Sequence, residues 1–172
     1  MARGGWLGRA RLTITAIARA ALALAGAACL IAGPALAQQQ LVAASSEISF
    51  VSRQMGVPVE GRFKKFDAQV AFDPAKLASS KVAFTVDTGS ATLGSREVDA
   101  ELPKAVWFNV PKFPQATFES SAIKALGAGK YEVAGKLGIK GAVHDVVVPV
   151  TLTQAGATTT AAGSFVIKRL AF

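Results

Sequence analysis

The sequence has very little of what most catalytic sites are built from. Its 172 residues hold one cysteine, Cys29, and one histidine, His144. A tetrahedral Cys/His metal centre needs four such donors, so no metal and no cofactor held by one is expected. With a single cysteine, no intrachain disulfide can form, and stability has to come from the core. There is no nucleophile elbow and no phosphate loop; G-K-L-G-I-K-G (Gly135 to Gly141) has glycines but not the Walker spacing. Basic residues are not interleaved with aromatics as single-strand binders require, so no nucleic-acid partner is expected. Acidic residues are absent from the first 37 positions, and this absence carries information.

Those positions contain Arg3, Arg9, Arg11 and Arg19, then the short apolar run A-A-L-A-L-A-G-A-A-C-L-I-A-G, then A-L-A at Ala35 to Ala37. A basic start, an apolar middle and a small-x-small end make a secretory leader cut after Ala37, too short for a comfortable membrane span. Cys29 lies inside it; Gly26 stands where a lipoprotein acylation site wants a larger aliphatic residue. The expected domains are 1–37, a cleaved leader, and 38–172, one exported barrel domain. The formal charge falls from +8 to +4 once the four arginines leave, which removes much of the case for a polyanionic partner.

Beyond Gln40 the pattern has period two almost everywhere, the signature of half-buried strands. Strands are expected at Ser46–Arg53, Val57–Asp73 (one long strand or a bent pair), Lys81–Asp87, Ala116–Ile123, Lys130–Lys140, His144–Thr153 and Thr158–Arg169. In V-P-V-E-G-R-F-K-K-F-D-A-Q-V-A-F-D-P the apolar parity slips at Lys64-Lys65, because Phe63 is odd and Phe66 even; one extra residue there predicts a β-bulge. In S-R-E-V-D-A-E-L-P, Ser95 is a candidate N-cap, Glu97 an acid in the first turn and Pro103 a stop, which predicts one short helix. V-W-F-N-V-P-K-F-P then reads as an extended aromatic and proline-rich loop over something apolar. One-sided alternation across about seven strands predicts an all-β antiparallel barrel or sandwich.

Acid-base candidates are few. His144 and Asp145 are neighbours, but adjacent strand residues point to opposite faces. Glu97 and Glu101 share a helical face, where such pairs are solvated. No catalytic residue is assigned, and the chain is not read as an enzyme.

Four stretches together carry a resemblance. G-R-F-K-K-F-D-A (Gly61 to Ala68), R-E-V-D-A-E-L (Arg96 to Leu102), W-F-N-V-P-K-F-P-Q-A-T-F (Trp107 to Phe118) and Y-E-V-A-G-K-L-G-I-K-G (Tyr131 to Gly141) resemble, in order, the motifs of the YceI-like, polyisoprenoid-binding proteins. The resemblance implies a lipocalin-like barrel in the periplasm around an apolar tunnel that holds an isoprenoid or other long amphiphile. Trp107, Asn109 and Gly138 depart from the family pattern, and K-R-L-A-F ends at Phe172 where the family continues into a further strand. A barrel lacking its eighth strand, with an open edge, is therefore expected.

The tunnel residues expected on this basis are Phe50, Phe66, Phe72, Phe84, Phe118, Tyr131, Leu137, Val148 and Phe165, with Lys64 and Lys65 as a cationic rim for an anionic head. The expected function is a periplasmic carrier or store for a polyisoprenoid or similar lipid, with transient contact to a membrane or membrane protein. The alternatives are an interaction module pairing through the open edge, homodimerisation included, and a lipid-modifying enzyme.

Overall fold

The computed structural model describes residues 7–17, 39–54, 57–168 and 171–172, the first of these segments as backbone only. The apolar run read as part of a leader, Cys29 and the cut expected after Ala37 lie outside the described residues, as do Arg169 and Leu170.

The elements in chain order are β1 (Leu7–Ile17), β2 (Gln40–Leu41), β3 (Glu47–Gln54), β4 (Val57–Phe63), β5 (Phe66–Ala71), β6 (Lys81–Asp87), β7 (Ala91–Thr92), α1 (Arg96–Asp99), β8 (Gln115–Gly127), β9 (Lys130–Ile139), β10 (Ala142–Ala155) and β11 (Thr158–Lys168). All strands belong to one antiparallel sheet in the order β5-β6-β8-β9-β10-β11-β1-β3-β4-β7, with β2 beside β1. The sheet curls into a half-barrel. β4 and β5 sit towards opposite ends of the strand order yet are consecutive in the chain, and Gln39 bridges Val70 of β5.

All seven expected stretches form strands, Val57–Asp73 as the pair β4 and β5, because one-sided alternation is enough to place a strand that packs on one face. Hairpin geometry fixes their register. Lys140 and Gly141 both have positive φ, at 53° and 85°, and form a two-residue connection that pairs Ile139 with Ala142. Two left-handed central residues match the right-handed twist of the flanking strands, which sets β9 against β10 through Thr151.

Two expectations need correction. Lys64 and Lys65 are not a bulge in a continuous ladder but a break between β4 and β5. Their N–H groups leave the sheet for Ser90, Lys64 N donating to the Ser90 carbonyl (3.1 Å) and Lys65 N to its Oγ (3.0 Å). The chain changes neighbours there: β4 pairs with β3 and β7, and β5 with β6. The parity slip serves that switch, since Phe63 and Phe66 both end half-buried.

The aromatic loop after α1 is also not extended. It winds through successive turns, with Phe108 N donating to Leu102 O, Asn109 N to Lys104 O and Val110 N to Pro103 O. Asn109 takes φ 51°, a left-handed position that Asn tolerates better than most residues, and its carbonyl accepts from Lys112 N and Phe113 N.

β1 lies inside the segment read as leader and stands between β11 and β3, while β5 and β7 end the strand order.

Candidate functional site: the barrel interior

The even residues of β5, β6 and β10 and the odd residues of β9 and β11 turn to the inside, and cross-strand register assembles them into rungs. One rung runs Ala68–Phe84–Phe118–Leu137 across β5, β6, β8 and β9. Another places Val150 between Tyr131 and Gly163. Ala68 and Phe84 form the buried centre, with Leu41, Val70, Val82, Phe118 and Ala161 packed around them.

The expected tunnel residues divide in two. Phe84, Leu137 and Val148 are buried, at 7–8% exposure. Phe50, Phe66, Phe72, Phe118, Tyr131 and Phe165 are only half-buried. Aromatic contacts group several of them: Phe84 with Phe118 at 6.3 Å between ring centroids, and Phe72 edge-on to Tyr131 at 5.2 Å. Phe50 stands apart, against Phe63 (5.3 Å) and Phe108 (6.5 Å). Residues on the same faces that the sequence reading did not assign to the site are Ile48, Ala68 and Val133, all buried. Their parity marked them, but small or aliphatic side chains stand out less than aromatics. Leu102 and Phe108 carried no periodic signal at all, because they lie in turns.

Glycine at 135 keeps two strands close. A Cβ there would lie 2.4 Å from the Glu119 carbonyl oxygen and 2.6 Å from the Phe118 ring. Close backbone approach in a curved sheet is what this position requires.

One end of the barrel is closed by the segment between β6 and β8. Leu102 is 1% exposed. Phe108 packs on Phe50 and Phe63, and Phe113 on Gly141, so the segment reaches from the β3–β4 side to the β9–β10 turn. Thr88 anchors its return, with its N–H donating to Pro114 O and its hydroxyl to Phe113 O. Ser95 stands at the N-cap of α1 but its side chain makes no capping bond. Asp99 does the tying instead, accepting from Thr92 Oγ1 and from Leu93 N, both at 2.6 Å. The Thr92 hydroxyl first, then the Leu93 amide, hold the Asp99 carboxyl below its ordinary range; partial desolvation opposes them and the Lys64 charge adds to them. Lys64 and Lys65 are exposed at this closed end.

The two acid-base candidates do not assemble. His144 Nε2 lies 2.6 Å from Ala171 O and its ring meets Phe172, whereas Asp145 pairs with Lys136 at 3.1 Å. Glu101 pairs with Lys104, and Glu97 is exposed. Among the described residues no three His, Cys, Asp or Glu side chains gather as metal ligands. A shallow cavity of about 390 Å³ lies over β5, β6 and β8, between Gln69, Lys81 and Glu119, and none of the expected tunnel residues lines it. Ser52 is 1% exposed and its Oγ has no hydrogen-bond partner, the one such buried side-chain atom among the described residues.

Comparison with known proteins agrees with this architecture. A UPF0312 protein of Azotobacter vinelandii is 35% identical over 133 residues, 75% of this chain and 69% of the relative. A UPF0312 protein of Vibrio cholerae is 33% identical over 66% of this chain; the chain spans only 60% of that relative's length. The crystal structure of BcnA from Burkholderia cenocepacia is 51% identical, with a TM-score of 0.73 over 76% of this chain and 82% of that one. The YCEI protein of Campylobacter jejuni is 28% identical, with a TM-score of 0.52 over 56% of each chain. The model of the YceI-like domain matches residues 40–172, which is nearly the whole of the barrel, and the chain therefore belongs to the YceI-like family.

Proposed function

We propose that the barrel interior holds a polyisoprenoid or similar long-chain amphiphile, and that the chain is an exported, periplasmic carrier or store for it. The observation that carries the reading is the incomplete burial of the interior. Six of the nine expected tunnel residues are only partly buried. A dry core would seal them; an interior with room for a slim ligand leaves them reachable. Each methylene placed against them contributes roughly 0.8 kcal/mol before ordering costs. Binding of this kind needs little headgroup chemistry, so chain length sets specificity, and Lys64 and Lys65 supply an anionic head with a cationic neighbour. Catalysis is no part of the reading, since His144 and Asp145 face different partners. Export rests on the basic, apolar and small-x-small segments up to Ala37.

The test is native mass spectrometry of protein purified from the periplasm without detergent, followed by organic extraction. A co-purifying polyprenyl or acyl species is the expected result. Ala161→Trp puts bulk beside Ala68 and Phe84 at a half-buried inward position. It should lower the adduct at least tenfold with the strand spectrum retained. Equal uptake by a folded Ala161→Trp chain would count against an interior site.

A further inference from the structure

The segment that closes one end of the barrel turns an apolar tip outward. Val110 N donates to Pro103 O and Asn109 N to Lys104 O, both at 3.0 Å, so the chain leaves at Lys104 and returns at Asn109 to the same place. Trp107 N donates to Lys104 O at 2.9 Å, which folds the excursion back on itself. Apolar contacts fix both ends: Leu102 is buried, and Phe108 packs on Phe50 and Phe63. Between these anchors Lys104, Ala105 and Val106 are exposed and Trp107 is half-buried. Val106 is 65% exposed, the highest value of any large apolar side chain among the described residues.

Exposed turns are ordinarily built from Gly, Pro, Asn, Asp or Ser, which favour the bend. Ala-Val-Trp supplies none of that chemistry. A lone exposed valine would mean little. A valine beside a tryptophan, at the tip of a loop tied at its base and flanked by lysines, has the composition of a segment that sits at a water–lipid boundary.

The charges agree. Lys64, Lys65 and Lys112 are exposed, and none of them makes an ion pair among the described residues. Lys112 follows the base of the loop, its N–H donating to Asn109 O at 2.9 Å. Lys65 O accepts from Asp87 N, and Thr88 N donates to Pro114 O, so the lysine pair and Lys112 flank the same closed end. Of the acids in the segment, Glu101 is taken by Lys104 and Asp99 by Thr92 and Leu93, while Glu97 has Arg96 beside it on α1. The uncompensated charge around the tip is positive.

We propose that Ala105 to Trp107 docks on the surface of an anionic lipid bilayer, with Val106 and Trp107 entering the interface and Lys64, Lys65 and Lys112 meeting the headgroups. A protein partner fits less well, because a standard interface buries about 800 Å² on each side, far more than three residues at a tip offer. A bilayer asks for less, since interfacial apolar side chains and lysines near an anionic surface each add to binding. Contact there brings the capped end of the barrel to the phase in which an amphiphile dissolves, so it extends the carrier reading without resting on it.

The test uses protein purified from the periplasm with Trp6→Phe, which leaves Trp107 as the only indole whether or not the leader is present. Vesicles of phosphatidylglycerol mixed with phosphatidylcholine should shift Trp107 emission to the blue and open it to quenching by brominated acyl chains. Vesicles of phosphatidylcholine alone should do neither. Val106→Asp and Lys112→Glu should each weaken vesicle binding about tenfold at low salt. Both side chains are exposed, so the strand spectrum and melting temperature should be retained. No shift with anionic vesicles, or equal binding by folded Val106→Asp, overturns the tip. Co-sedimentation with vesicles while Trp107 stays unquenched places the contact on another face and overturns it too. Burial of Trp107 that depends on protein concentration and not on vesicles overturns the bilayer in favour of a second copy. Lipid uptake is read separately, by native mass spectrometry of protein recovered from the vesicles. An adduct without Trp107 burial sinks the tip and keeps the carrier reading; burial without an adduct does the reverse.

Discussion

Gly135 shows how one atom governs the wall. The Cβ missing from it would occupy the space of the Glu119 carbonyl, which is backbone and cannot rotate away. Gly135→Ala should therefore cost about 1–3 kcal/mol, the range for overpacking, by forcing β8 and β9 apart. Urea unfolding is the check, and an unchanged midpoint would mean that the strands separate freely. Asp99 acts through charge. Its carboxyl lies below the ordinary value of 3.8 because the folded state donates two hydrogen bonds to the ionised form. A depressed carboxylate contributes stability above its unfolded pKa and loses it as pH falls through the folded one. The melting-temperature gap between wild type and Asp99→Asn should therefore be present at pH 7 and narrow below about pH 3.8. A gap that stays constant down to pH 2 would show that Asp99 acts by shape alone.

At the scale of elements, the segment from Thr88 to Pro114 decides the shape of the site. It contributes one three-residue 3-10 helix, one two-residue strand and one four-residue helix, so regular hydrogen-bonded structure does little to hold it in place. Side chains do that: Leu102 buried, Phe108 on Phe50 and Phe63, Phe113 on Gly141. Phe108→Ala should destabilise by about 2 kcal/mol, less than the 3–5 typical of a fully buried aromatic, because Phe108 is half-buried. It should also open this end, seen as faster amide exchange at Leu93 and Leu102 with exchange in β9 and β10 unchanged. Uniform acceleration everywhere would mean that the cap and the wall unfold as one unit.

At the scale of the molecule, the closed end carries the lysine pair. An anionic head seated there would gain from Lys64 and Lys65, whereas a ligand held only by its chain would not respond to them. Lys64→Glu/Lys65→Glu should weaken binding of an anionic amphiphile severalfold at low salt, with the difference shrinking as the Debye length falls from about 30 Å at 0.01 M to about 8 Å at 0.15 M. Binding of the matching uncharged alcohol should not change. Equal affinities for the charged ligand would place its head at the other end, by the β8–β9 and β10–β11 turns.

The strands were legible from residues 40 to 168 because each packs one face only, and a half-buried strand writes its orientation into alternate residues. The family followed from four motifs in order, and much of the interior followed from parity, including Phe84, Phe118 and Leu137 on one rung. Strand parity says which side a residue faces but not how much space lies beyond it, so it could not separate the buried Val148 from the half-buried Phe165. Lys64-Lys65 was visible as an irregularity; that it separates two strands with different neighbours depends on Ser90, 25 residues away. The cap had no period to read, since its contacts come from turns. β1 had both a leader's composition and a strand's alternation, and composition is the louder signal in sequence. That it pairs with β11 and β3 was not legible, because a ladder is a property of three segments together and none of them contains it alone.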